Sequence, residues 1–407
     1  MRILQVCKKF PYPLKDGESI AINNLSKSLK ALGADLSLLA MNTKKHYFDV
    51  KTLPSSFDQY DQISTVYIDS SLKIKDAFLN LFSSESYHIS RFVSKAFEQK
   101  LIALLKEQAF DVIQLETLYL APYIPIIRQY SNAMISMRAH NVESEIWGRI
   151  TKNTNLLPKK VYLNHLFKKL QRFEEKMLHQ YDLLLPITQR DLDSFKKMGF
   201  NGTATVTPIG LDISNYHADY DSYRKKMSIS FIGSLDWMPN IEGLKWFLDN
   251  VWENLQKKFP SIELHVAGRN TPEWLMKMNR NNIVVHGEVE DAMDFINQHS
   301  IMIVPLLSGS GMRAKILEGM ALGKVVLTTK IGVEGIEAKH EKEILIGDNP
   351  NAIFEVVEWC NQQNGRLEAI GRNAAAFVGN HYDSLQIAQK VMASYAEMGA
   401  KKQIQNK

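Results

Sequence analysis

Short apolar runs rich in β-branched residues alternate along most of the chain with longer amphipathic stretches, and each change of period marks an expected switch between strand and helix. In the first half the apolar runs predict strands at 3–7, 36–40, 65–68, 112–115, 133–137, 183–186 and 205–207. The pattern restarts at 228–232 and continues through 263–267, 283–286, 302–304, 325–327 and 344–346. Helical stretches fill most of the intervals, which is the signature of a doubly wound α/β sheet formed twice. A polar, turn-rich connector over 208–223 separates the halves, so the expected domains are 1–212 and 213–383. A last helix near 384–398 could pack on either half, and the Lys401–Lys407 tail is expected to fray.

One strand leads into unusual chemistry. After the run 301–304 the chain reads Pro305-Leu-Leu-Ser-Gly-Ser-Gly-Met-Arg-Ala-Lys-Ile-Leu-Glu318, with a helix expected from near Gly311. Gly309 and Gly311 let backbone approach a ligand closely, and the helix start offers free N–H groups and a positive dipole end to a phosphate. Arg313 and Lys315 add two charges beside it. Glu318, about two helical turns beyond Ser310, could accept hydrogen bonds from the vicinal hydroxyls of a sugar. The segment therefore suits a nucleotide diphosphate. An ordinary strand–loop–helix connection with a solvated Arg and Lys fits the local sequence equally well.

Composition narrows the classes. The 407 residues are 45% hydrophobic and 23% charged, ordinary for a folded protein and far from disorder. The opening Met-Arg-Ile-Leu-Gln-Val-Cys reads as a strand rather than a leader, and no apolar run approaches the roughly 18 residues that span a bilayer. Cys7 and Cys360 supply neither a disulfide framework nor metal-ligand spacing, so a cytoplasmic location is expected. The net charge of +5 is modest and suggests no nucleic-acid partner. Its distribution is uneven: the 152–176 segment interleaves Lys152, Lys159, Lys160, Lys168, Lys169, Arg172 and Lys176 with apolar positions. Such a basic amphipathic helix could lie on anionic lipid, although plain solvation is its commoner fate. The first loop is not Gly-x-Gly-x-x-Gly and no Gly-x-x-x-x-Gly-Lys-Ser/Thr occurs, which disfavours NAD enzymes and P-loop ATPases. Asp191-x-Asp193 follows Thr188 and reads as N-terminal helix charge rather than a metal motif.

With Gly17 in the first loop, Arg138-Ala-His-Asn-Val-Glu143, Pro208-Ile-Gly-Leu-Asp212, Phe231-Ile-Gly-Ser-Leu-Asp-Trp-Met-Pro-Asn240, Val266-Ala-Gly268 and the Ser308–Lys324 block, the chain resembles GT-B glycosyltransferases of the group 1, family 4 retaining type. The resemblance covers nearly the whole chain in order. It implies two Rossmann-like domains facing an interdomain cleft, an N-terminal acceptor domain and a C-terminal nucleotide-sugar domain. Glu318 matches the second Glu of the family's paired-glutamate motif and is implied to hold the donor ribose. The first Glu is replaced by Ser310, as in a subgroup with Gly-Ser-Gly-x-Arg. Where relatives carry a diphosphate-gripping Arg, this chain has Ser234 after Gly233, and Arg313 and Lys315 look like relocated phosphate charges. Gly268, Gly287, Gly309, Gly311 and Met312 complete the implied donor set, with Gly17 added from the first loop.

His140 follows a strand at its carboxyl end, a ligand-facing position, and the resemblance implies contact with the transferred sugar. Arg138 and Asn141 are candidate acceptor contacts, Arg138 pairing with Glu143 or Glu145 being the equal alternative; Glu116 and Glu143 are weaker candidates. Trp237, Pro239 and Asn240 could sit at a cleft or merely start a helix over 241–250. No general base stands out. The implied activity is metal-independent transfer, with retention, from a UDP- or GDP-sugar to a glycan or lipid-linked acceptor in cell-surface polysaccharide synthesis, with no cofactor. A weakly catalytic nucleotide-sugar-binding partner subunit and a sugar-nucleotide epimerase remain the alternatives.

Overall fold

The computed structural model describes residues 1–14, 16–71, 80, 83, 85–278, 280, 282–309 and 311–405. The chain forms two compact units, Met1–Gly210 with Ser384–Lys407, and Leu211–Asp383. The division falls after Gly210 rather than after Asp212, and the last helix counts with the N-terminal unit.

The N-terminal unit is built on six parallel strands, β1 (Arg2–Cys7), β2 (Asp35–Thr43), β3 (Gln62–Ile68), β4 (Val112–Glu116), β5 (Met134–Ala139) and β6 (Leu183–Pro186), in the order β3-β2-β1-β4-β5-β6. Strands β4 and β5 are buried at every position, as expected of a parallel sheet covered on both faces. The expected strand at 205–207 does not form as such. Thr205 N and Thr207 N donate to the carbonyls of Leu184 and Pro186, so the segment runs beside β6, but Pro186 has no N–H to donate back and the ladder stays incomplete. Strand order reverses between β1 and β4, so the loops leaving these strands diverge and open a crevice at their carboxyl ends.

The C-terminal unit repeats the plan with β7 (Ser228–Ile232), β8 (Glu263–Ala267), β9 (Ile283–Gly287), β10 (Ile301–Val304), β11 (Val325–Thr328) and β12 (Leu345–Ile346), ordered β12-β11-β10-β7-β8-β9. Here the reversal lies between β7 and β10. The Gly233-Ser234 loop and the loop after Val304 therefore leave adjacent strand ends. Lys324, 0% exposed, ties the connector to this sheet: its Nζ donates to the Asp219 carbonyl, to Ser222 Oγ at 3.1 Å and to the Asn297 carbonyl at 3.1 Å. Burial pushes its ammonium down to about 8.

The last helix runs over Ser384–Gln405, through most of the segment expected to fray, because Lys402 Nζ donates to the Asn132 carbonyl at 2.7 Å. It buries Ile387, Ala388, Val391 and Tyr395 beside Ile22, Leu25 and Leu29 of the first helix, Gly17–Ala31. The Tyr395 hydroxyl donates to Gln114 Oε1 on β4 at 2.6 Å. None of the described helices is long and apolar enough to cross a membrane. Tyr395→Phe, which loses this bond and the longer one to Ser136 Oγ at 3.4 Å, is expected to lower stability by about 1 kcal/mol. Tyr395→Ala also opens a cavity and should cost about 3–5 kcal/mol; urea unfolding of both variants checks the ranking.

Candidate functional site

The candidate residues fall into two groups, one in each unit. In the N-terminal unit the geometry centres on Glu116, the last residue of β4, which is 0% exposed. One carboxylate oxygen accepts from Gln5 Nε2 at 2.6 Å and from Gln114 Nε2; the other lies 2.7 Å from His140 Nε2. Burial would raise this carboxyl, but the Arg138 guanidinium, with its nearest nitrogen 3.8 Å away, and then His140 and Gln5 hold it below its ordinary value. Glu116 is therefore a positioning residue for His140, not the acceptor contact the sequence suggested. Arg138 is corrected in the same way. It is 0% exposed and its Nη1 donates to the Ala21 carbonyl at 3.0 Å, so it binds the first helix to the sheet from inside the core.

His140 and Asn141 lead into the Glu143–Lys152 helix. That helix is started by a distant carboxylate: Glu174 accepts from the backbone N–H groups of Glu143 and Ser144, both at 2.9 Å. Burial pushes the Glu174 carboxyl up to about 7. Lys169 is likewise buried, donating to the Asn80 carbonyl at 2.6 Å, so the 152–176 segment is not basic surface throughout. Glu143 is buried too, accepting from the Tyr119 hydroxyl at 2.8 Å, and so does not face an acceptor. Backbone strain marks the same region, since Thr117, directly after Glu116, holds φ at 130°. Gly17 is the first residue of a helix whose N-cap is Asp16, with an ordinary φ and room for a Cβ at ordinary contact distance, 3.9 Å, from Ile209 Cδ1, so it forms no tight turn.

In the C-terminal unit the candidates converge. Gly233, Gly268 and Gly287 end the neighbouring strands β7, β8 and β9, and a Cβ at Gly268 would lie 1.9 Å from the Gly233 carbonyl oxygen. Gly309 and Gly311 have φ of 117° and 77°, a conformation that strains other residues, and a Cβ at Gly309 would lie 2.9 Å from Arg313 Nη2. That backbone delays the helix, which spans Ala314–Ala321 with Arg313 as its N-cap residue instead of starting near Gly311. Arg313 and Met312 are 6% and 7% exposed, and an Arg313 nitrogen donates to the Gly311 carbonyl. Ser310 lies outside the described residues.

Lys315 and Glu318 are one helical turn apart on the face turned into this corner. Burial pushes the Lys315 ammonium down to about 7, the Arg313 charge lowering it further and Glu318 opposing. Burial raises the Glu318 carboxyl, against Lys315 and a hydrogen bond from the Tyr216 hydroxyl. Asn240 holds the corner together: its Oδ1 accepts from Lys315 Nζ at 2.7 Å while its Nδ2 donates to the Ser234 carbonyl at 2.8 Å. Asn240 sits in the Met238–Phe247 helix, which starts earlier than expected with Trp237 as its N-cap residue. Sequence reasoning named Asn240 without this role and did not find Tyr216; both act across loops far apart in the chain. Among the described residues no group of three or more His, Cys, Asp or Glu could hold a metal ion.

Residues 226–362 match the family described as "Glycosyl transferases group 1". A Klebsiella pneumoniae protein described as an uncharacterized 44.6 kDa protein in the cps region is 24% identical over 405 residues, covering 96% of this chain and 98% of that protein. Sucrose-phosphate synthase from Thermosynechococcus elongatus is similar in structure at TM-score 0.71, with 13% identity over 98% of this chain and all of that one (100%). Anabaena HepE in complex with UDP is similar at 0.69, also with 13% identity and with 98% and 100% of the two chains covered. The chain is a transferase that carries a group 1 glycosyltransferase domain on the two-domain GT-B fold.

The depressed Lys315 gives a measurable consequence. Its folded value lies below its unfolded one, so the charged form weakens the ligand-free fold; that cost is full below pH 7 and disappears as pH rises from about 7 towards 10.5. Lys315→Met should therefore raise the thermal midpoint of the ligand-free protein more at pH 6 than at pH 9. A diphosphate placed beside Lys315 would restore its charge, so UDP binding at pH 8 should take up close to one proton. Calorimetry in two buffers of different ionisation heat measures this uptake, which Lys315→Met should abolish.

Proposed function

We propose that the chain transfers a sugar, with retention and without a metal, from a UDP- or GDP-sugar to a glycan or lipid-linked acceptor during cell-surface polysaccharide synthesis. The observation that carries the reading is the corner of the C-terminal unit. Two left-handed glycines bring backbone close, Arg313 and Lys315 provide positive charge, and Glu318 provides a carboxylate for ribose hydroxyls, all within the matched family region. A departing nucleoside diphosphate gains negative charge as the glycosidic bond breaks, and donors fixed in a buried site stabilise that charge without reorganising. The protein's contribution is positioning and charge, with His140, held by Glu116, as the N-terminal unit's contact to the transferred sugar. The UDP in the HepE structure and the cps-region location of the Klebsiella relative support the donor class and the pathway class.

A nucleotide panel tests the donor half. UDP or GDP at about 100 times its dissociation constant should stabilise the protein by roughly 2.7 kcal/mol, a midpoint shift of several degrees, while CMP and NAD give none. Arg313→Ala should lose the shift. Donor turnover that stops in EDTA and returns with Mn would overturn the metal-free part of the reading.

The acceptor half of the proposal includes contact with an anionic membrane surface. Leu156, Leu157 and Val161 are 66%, 73% and 69% exposed, beside Lys152, Lys159 and Lys160 at the start of the Leu157–Met177 helix. Large apolar side chains gain about 1.5–3 kcal/mol each on leaving water, and each lysine near an anionic surface adds about 1 kcal/mol. The protein should co-sediment with phosphatidylglycerol vesicles and much less with phosphatidylcholine. The variant carrying Leu156→Asp and Leu157→Asp should remain in the supernatant with its thermal midpoint unchanged.

A further inference from the structure

The N-terminal unit contains a cavity of about 670 Å³ at the carboxyl ends of β1, β2 and β3, the edge at which parallel sheets present their ligands. Its walls are strongly basic. Among the described residues, Lys8, Lys9, Lys44, Lys45 and Arg91 line it against a single lining carboxylate, Glu18. Lys8 pairs with Glu18 at 3.2 Å and Lys9 with Asp16 at 2.6 Å. Lys44 and Lys45 are exposed in the short helical turn after β2 and enter neither pair.

Three buried polar atoms of the described wall residues have no hydrogen-bond partner: the acceptor Glu18 Oε1 and two donors. Thr43 is 2% exposed and its Oγ1 has no hydrogen-bond partner, and Arg91 Nε has none either. Buried donors of this kind normally find a partner, and a ligand in the cavity would supply one. The charges also act on their neighbours. Burial lowers His46, also in the wall, and the Lys9 and Lys45 charges lower it further. Burial would raise Glu18, yet Lys8, Lys9 and His140 together hold it below its ordinary value. Lys8 follows Cys7, which lies opposite Glu116 across β1 and β4, and Glu116 holds His140, so the cavity shares a sheet edge with the residue proposed to meet the transferred sugar.

We propose that this cavity binds a phosphate or diphosphate group on the acceptor, so that the acceptor is a phosphorylated sugar rather than a neutral one. With Lys8 paired to Glu18 and Lys9 to Asp16, the positive charge of Lys44, Lys45 and Arg91 is left in excess among the described residues, and phosphate oxygens can accept from ammonium groups, the Arg91 guanidinium and the Thr43 hydroxyl together. The group could belong to a soluble sugar phosphate or to a lipid diphosphate head; both present the same oxygens. The inference rests on the sugar-transferase reading and deepens its acceptor side.

The test uses the full chain with the donor site saturated by UDP or GDP, whichever binds, so that added anions report on the cavity alone. Inorganic pyrophosphate should still bind by calorimetry. In the Lys44→Ala, Lys45→Ala variant its dissociation constant should rise about tenfold or more, with nucleotide binding unchanged. Both lysines are exposed, so the variant should fold normally, and its thermal midpoint checks that. Glucose 1-phosphate and a short isoprenyl diphosphate are titrated alongside: tighter binding of the first supports a soluble acceptor, and of the second a lipid-linked one. Pyrophosphate binding that is absent, or equal in the two proteins, overturns the proposal while the donor reading stands. Failure of both UDP and GDP to bind the wild type overturns the transferase reading and this inference with it.

Discussion

An ionised carboxylate at the centre of the N-terminal sheet constrains everything around it. Glu116 is fully buried, and a buried charge persists only where opposite charge and hydrogen bonds replace the water it has lost. Gln5 from β1, Gln114 from β4, His140 from the end of β5 and the nearby Arg138 provide that replacement. Gln5, Gln114 and Arg138 are each fixed by a further partner. Ser26 and Tyr60 donate to Gln5 Oε1 at 2.8 and 2.5 Å, Tyr395 donates to Gln114, and Arg138 reaches the first helix. The orientation of His140 is thus tied through hydrogen bonds to both the first and the last helix of the chain.

The C-terminal unit meets a different demand. Its corner collects positive charge, which repels itself and resists burial until a ligand arrives. Lys315 shows the tension most directly: the half-buried side chain lies near Arg313 and its ammonium donates to the neutral Oδ1 of Asn240. A site arranged in this way is poised for an anion, because the incoming charge relieves repulsion as well as forming contacts. The glycines at 233, 268 and 309 serve the same end by leaving the space that Asn240, the neighbouring backbone and Arg313 occupy.

The two sheets were legible as alternating strand and helix periods, and the order of elements follows from them. So was the Gly-Ser-Gly-Met-Arg block, because its glycines and charges are close in sequence and act on one loop. The remainder of each site was hidden for a common reason. Asn240 and Lys315 are 75 positions apart. Gln5 and Glu116 are 111 positions apart. No periodicity connects such pairs. Arg138 misled because a charge in a strand end reads as surface, whereas here it is the partner of a buried acid. The helix start after Met312 was misplaced by the two positive φ values, which only the folded loop reveals.

What the sequence by itself determined was therefore local: which segments become strands and helices, where the chain restarts, and which loop carries the cations. Those are properties of neighbouring residues and of their hydrophobic period. The tertiary structure decided which polar groups are buried together. It made Glu116 a support for His140, Glu174 the cap of a helix far from it in sequence, and Lys8, Lys9, Lys44, Lys45 and Arg91 the walls of one cavity. Burial and proximity across distant segments set those roles, because a charge changes its chemistry when water leaves and another group takes its place.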